Sequence, residues 1–564
     1  MNRSIILFSL GLLMWALMSS CKKDPEIEPR ELITAELIWD KKDVNGVLAK
    51  QFLNNVYTFL PNGFNRVGGD FLDAATNDAL PTRIGTSVEN YTNGRASVIQ
   101  NPDPYWGNSY AGIRQANIFL ANIDSVPVVA ATKNAWKSEA RFIRAFMYYE
   151  LLKRYGGVPL IGDTIFTLKD DLELPRNTFE DVVNYIVNEC DASKTNLLGE
   201  GAVTDGDLGR IPKGAAIALK CRVYLYAASP FFNGGGTAGP LKTAGIIGYA
   251  TADPTRWQKV IDAAEELKAL NYYVLESNYL NVFVVRKNKE VILAKQTGLD
   301  FNLEINNAPI GYSNIGTQNG GRTSPTQNLV DAFPMSNGLA ITDPASGYNA
   351  ANPYNARDSR LSSTIFYNGV PWLNRPVETF EGGRDKPNNS LLQTKTGYYL
   401  RKFMGNNATA NSYATQSHNF IYFRYAEILL NSAEALNEMN RVEEAVNEIK
   451  VIRTRAGITA GTNTRYGIKA GITQVEMRDL IRTERRIELA FEEHRFWDVR
   501  RWKIAPQEFN GPVFGMKIIK TGTSTFTYDK VPVAILVFSD KLYLMPLPYN
   551  EITKNSRLEQ NPGW

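Results

Sequence analysis

Two histidines, His418 and His494, are all that the 564 residues contain, and that scarcity narrows the possible chemistry. A nucleophile–histidine–carboxylate apparatus would have to use one of them, and a multi-histidine metal centre has almost nothing to be built from. The cysteines Cys21, Cys190 and Cys221 form no Cys-x-x-Cys, so neither a zinc ribbon nor a redox pair is indicated. Cys190 and Cys221 fall on helix-like segments, where pairing and two buried free thiols are both open. Glu492-Glu493-His494 is not H-E-x-x-H, and Asp205-Gly206-Asp207 lacks the spacing of a calcium loop. No metal or cofactor is therefore expected. The run Gly234 to Gly239 matches G-x-G-x-x-G, but Ser229-Pro230 precedes it and Pro240 follows, which suits a surface loop better than a phosphate cradle. Catalysis by paired carboxylates stays open among 58 acidic residues.

The densest charged and aromatic stretch is Thr483 to Trp502, TERRIELAFEEHRFWDVRRW. Read as one helix, it places Arg485–Glu488, Glu492–Arg495, Arg495–Asp498 and Asp498–Arg501 three residues apart, where they can pair. Leu480, Ile487, Phe491 and Trp502 then fall near one face as core. Buried structural ion pairs are the better reading of this stretch. Aromatics make up 11% of the chain. Sugar rings have apolar faces that lie on such rings, while their hydroxyls need Arg, Asn and Asp partners.

Elements must position these groups. Arg3 and the apolar run Ile5 to Met18 are too short to span a bilayer but fit a secretory leader. Ser19-Ser20-Cys21 then looks like a bacterial lipobox, with Cys21 lipidated as the mature N-terminus. The parse expected is a leader over 1–20, a lipidated tether over 21–40, a helical region over 41–270 and a second region over 271–564. A net charge of +4 gives no basic footprint for nucleic acid. Three- and four-residue apolar spacing predicts helices at Gly46 to Phe59, Trp106 to Ile123, Lys133 to Arg154, Phe179 to Leu197, Lys213 to Ala228 and Asp253 to Leu270. From about Asn271 to Asn419 the chain turns to Gly, Asn, Pro, Ser and aromatics, with one strand-like piece at Glu290 to Lys295. Helices return at Tyr422 to Asn437, Val442 to Ala456 and, as one long helix, Gln474 to about Lys503. Short β-like pieces at Ala534 to Phe538 and Lys541 to Met545 follow. Helix pairs about every forty residues suggest a tetratricopeptide-like array.

Several blocks together resemble the SusD/RagB family. Phe71 to Ala79 (FLDAATNDA) resembles its early acidic segment, and Trp106 to Asp124 (WGNSYAGIRQANIFLANID) one of its helices. Glu139 to Phe146 followed by Tyr155-Gly156-Gly157-Val158-Pro159-Leu160, and Arg424 to Leu430, continue in order. The 483–502 segment and the close from Leu544-Met545-Pro546-Leu547-Pro548 to Gln560-Asn561-Pro562-Gly563-Trp564 are the most specific blocks. The resemblance implies a mostly α fold: a tetratricopeptide-like helical-repeat scaffold with a loop-rich, partly β capping region. It also implies a non-catalytic lipoprotein, exposed on the outer membrane, that captures oligosaccharides for a SusC-like TonB-dependent transporter. Peptide binding on the same scaffold is the alternative, with a surface glycosidase behind it. By loop position the resemblance suggests ligand contacts at Asp73, Arg83, Tyr91 and Asn93, and at Tyr312, Arg322 and Trp372. No tryptophan pair stands in the first of these loops, unlike starch-binding members.

Overall fold

The computed structural model describes residues 35–314, 317–405 and 412–564; Cys21, the expected leader and most of the tether lie outside the described residues. The apolar spacing yields α1 (Val47–Tyr57), α2 (Trp106–Asn122), α3 (Ala130–Tyr155), α4 (Phe179–Lys194), α5 (Lys213–Ala228) and α6 (Arg256–Lys268). From α2 to α6 each helix packs on the next. Local chemistry sets the ends. Thr178 and Asp181 form a reciprocal capping box at the start of α4. Gly156, at φ 81°, ends α3 where a Cβ would lie 2.8 Å from the Ile246 carbonyl. The helix expected from Asp253 starts later, because the Asp253 carboxylate accepts from the Thr255 amide and hydroxyl in a turn before α6.

The array resumes with α7 (Tyr425–Glu438), α8 (Val442–Arg455), α9 (Gln474–Glu488) and α10 (Arg495–Arg501). α7 packs on α5 and α6, so the helices on either side of the middle segment share one core running from Val56 to Leu558. Two expectations fail here. Residues 419–424 form a strand rather than the first turn of α7. The long final helix is broken between α9 and α10, with Phe491 and Glu493 at φ 62°. Tertiary bonds cause the break: Tyr279 Oη, Arg424 Nη2 and Lys402 Nζ all donate to the Glu488 carbonyl, and the Asp73 carboxylate takes the Phe491 amide.

The β elements pair antiparallel: β1 (Ala79–Pro81) with β3 (Thr323–Pro325), and β2 (Val291–Gln296) with β4 (Asn419–Arg424). The long hairpin joins β5 (Gly511–Lys520) to β6 (Phe526–Leu536); the piece expected at Ala534 to Phe538 is only its end, and the one expected at Lys541 to Met545 is a 3-10 turn over Asp540–Tyr543. The loop-rich middle is not a thin cap. It builds a second core from Phe71, Ala79 and residues between Tyr279 and Tyr413, closed by Ile487, Phe491, Met516 and Ile518.

Candidate functional site

β1 and β3 carry two loops to the same edge of the second core. The Thr82 amide donates to the Arg322 carbonyl at 2.7 Å, and Lys395 Nζ donates to the Pro81 carbonyl at 3.2 Å. Residues 82–84, residues 390–395, Lys386 and Val533 of β6 thus wall a cleft of about 730 Å³. Ile84 and Leu391 stand on it 84% and 90% exposed. No aromatic ring and no carboxylate belongs to this wall.

Behind the cleft lies a buried acid. Asp70 is enclosed, and burial pushes its carboxyl up to about 6 although Arg322 and Arg83 pull it down. The Arg322 guanidinium lies flat on Gly69, where a Cβ would come within 2.0 Å of Nη2, and that nitrogen donates to the Gly68 carbonyl at 2.8 Å. Gly68 and Gly69, at φ 63° and 86°, therefore form a turn that only glycine allows beneath this cation.

The hairpin borders a second feature. Phe380, Phe526, Tyr528, Tyr354 and Tyr367 are all part-buried and follow one another at centroid spacings of 5.6, 6.4, 5.7 and 4.3 Å. All five pack on the second core, and each residue keeps part of its surface exposed. Tyr354 Oη and Tyr398 Oη, 3.0 Å apart, fix the middle of it. Such a row offers the apolar faces on which sugar rings lie.

The residues expected at the site are scattered. Arg83 is exposed on the cleft, and Arg322 is its neighbour across Asp70. Asn93 is exposed on a separate depression with Glu89, Asn90 and Arg95. The other four are enclosed. Tyr91 packs on Phe496 and donates its hydroxyl to Asn101. Trp372, 1% exposed, donates Nε1 to the Gly405 carbonyl and packs edge-on to Tyr312, whose other face carries Arg375 at 3.7 Å. Asp73 is buried against the α9–α10 break, its carboxyl pushed up to about 8 by burial and by Asp78 and Glu493. Enclosed in this way, these four present no face to a ligand. Sequence reasoning missed Ile84, Leu391, Lys395, Phe380, Phe526 and Tyr528. The alternation of Phe526 and Tyr528 with Thr527 and Asp529 was the period-two signal that marked β6.

Comparison with known proteins gives a consistent result. A family profile described as the SusD family matches residues 289–564, and one described as "Starch-binding associating with outer membrane" matches 40–225. "SusD-like protein P2" of Formosa agariphila is 26% identical over 82% of this chain and 80% of its own. A crystal structure of a SusD-like protein from Bacteroides fragilis superposes with a TM-score of 0.78 at 27% identity, covering 94% of this chain and 99% of that one. A solved "Laminarin binding SusD-like protein" has a TM-score of 0.61 at 20% identity, covering 92% and 99%, a likeness of fold. With the ordered blocks, the helical array and both profiles in agreement, the chain belongs to the SusD/RagB family.

Proposed function

We propose that this chain is a non-catalytic, lipid-anchored protein of the outer-membrane surface that captures oligosaccharide on the face built by the hairpin and the cleft. Lipid on Cys21 after removal of residues 1–20 anchors it, the rest of 21–40 is the tether, and a SusC-like TonB-dependent transporter receives the ligand. The observation that carries the reading is the row of five part-buried rings along a hairpin whose strand β6 also walls a cleft, both held on a helical scaffold. Support also comes from solved proteins of the same fold described as laminarin binding and as carbohydrate binding. Glycoside hydrolysis uses two carboxyl groups roughly 5–10 Å apart across the substrate, and the cleft wall carries none, which favours binding. Affinity in the range of ~µM to mM is expected, since hydroxyls must be stripped of water before they are paired.

The test is titration of a glycan panel and a peptide pool, with products assayed in the same samples, using the parent chain and the variant Tyr367→Ala/Phe526→Ala. Saturable glycan binding without turnover, weakened in the variant, is the expected result. Product release, or binding of peptides alone, contradicts the proposal.

A further inference from the structure

Resting on the reading that this face takes a glycan, we infer that the glycan is acidic, and that the cleft receives its carboxylate or sulfate group between Arg83 and Lys395. The wall of the cleft holds three cations, Arg83, Lys386 and Lys395, and no Asp or Glu. The other surface depressions differ: one contains Glu434, Glu438 and Asp479, another Asp207, another Glu89.

Each charge near the cleft can be accounted for. Lys386 is neutralised by Glu381 at 2.6 Å. Arg322 works against the enclosed Asp70. Glu89 is turned to the Gly85 amide at 2.8 Å and, with Asp70, acts on Lys395 only at longer range. Arg83 is exposed and, among the described residues, has no carboxylate paired with it. Lys395 spends one of its three hydrogens on the Pro81 carbonyl, and partial burial already pulls its pKa down, so an incoming anion relieves a desolvated cation.

The remaining wall sharpens the preference. Ser390, Gln393 and Thr394 can serve any hydroxyl, while Ile84, Leu391, Leu392 and Val533 surround the two cations with apolar surface. Apolar surroundings strengthen a charge-assisted hydrogen bond. They give a neutral sugar no carboxylate acceptor for its hydroxyl donors.

The experiment titrates the full chain with oligogalacturonate, alginate and sulfated chondroitin fragments, each beside a charge-masked or neutral counterpart such as the galacturonate methyl ester. Low and high salt are compared, with Arg83→Gln and Lys395→Gln alongside the parent. One acidic glycan should bind at least about tenfold tighter than its masked form and lose affinity with salt, and each variant should weaken it about tenfold. Arg83 is exposed, so Arg83→Gln should keep the parent's thermal midpoint, which separates loss of its charge from loss of folding. A neutral glycan bound with no acidic one, or acidic binding unchanged in both variants, overturns this inference and leaves capture standing. No glycan bound at all overturns both.

Discussion

Replacing Arg424 with methionine should unfold the protein more easily, by an amount the geometry sets. Its guanidinium, buried at the end of β4, donates to Glu290 Oε1 at 2.7 Å, Glu488 Oε1 at 2.6 Å, and Glu492 Oε2 and Oε1 at 2.8 and 2.9 Å. Lys402 and Arg455 pair among the same three glutamates, and Arg360 and Arg453 bring in Glu484 and Asp358, so five cations meet five carboxylates. Removing one cation leaves a net buried negative charge, which costs about 3–5 kcal/mol. With an unfolding entropy near 2.1 cal/mol/K per residue, that is a fall of about 3–5 °C for a body of this size. The pH dependence has a definite sign. Nearby cations hold Glu484, Glu488 and Glu492 below the usual carboxylate range, so their stabilisation is present above pH ~4.5 and lost as pH falls. Without Arg424 these carboxyls protonate more readily, and the deficit should shrink toward pH 4.5. The assay is calorimetric melting at neutral and acid pH, with Arg441→Met of the exposed Arg441–Glu444 pair as an unchanged control. A midpoint within a degree of the parent's at pH 7, or a deficit independent of pH, refutes the reasoning.

Asp73→Asn should flatten the stability profile between about pH 4 and pH 8. The Asp73 carboxyl sits up at about 8, so the folded state binds a proton that the unfolded state releases, and the parent loses stability as pH rises through that window. Gly69→Ala should destabilise by about 1–2 kcal/mol, through its φ of 86° and the collision with Arg322, and should weaken ligand binding more than Gly85→Ala, where a Cβ meets nothing. Cys190 and Cys221 are buried free thiols with pKa values pushed up by burial; a thiol reagent should find both only after denaturation, and fast reaction in the native protein would contradict that.

The scaffold was legible because most of α1 to α8 carry amphipathic spacing that needs no partner to be recognised, while α5, apolar and buried on nearly every side, reads as an unbroken helix former. The 483–502 segment shows where legibility stops. Its buried ion pairs were expected, yet of the four local pairs only Asp498–Arg501 forms. Glu488 turns to Arg360, Arg424 and Arg455, Glu492 to Lys402 and Arg424, and Arg495 to Asp78 and Glu508, partners distant in sequence. The same long-range bonds break the helix at 489–494, which no local pattern announces. Arg83 lies exposed on the cleft, as a cation in a polar loop that seldom has anywhere to go but water. Trp372 and Tyr312 are enclosed because a loop-rich segment that builds its own core buries aromatics as a helix does, and Tyr91 because it packs into the helical core against Phe496. Phe380, Phe526 and Tyr528 escaped because Phe380 meets Tyr354 and Tyr367 only through the hairpin, whose own two rings lie more than 140 residues further along the chain.

Hydrogen exchange with and without a saturating oligosaccharide tests the central claim most directly. The account predicts ligand-dependent protection confined to residues 82–84, 354–367, 380–395 and 526–533, with the helical array unchanged. Protection on α2 to α6 instead, with none on the hairpin or the cleft loops, would contradict it.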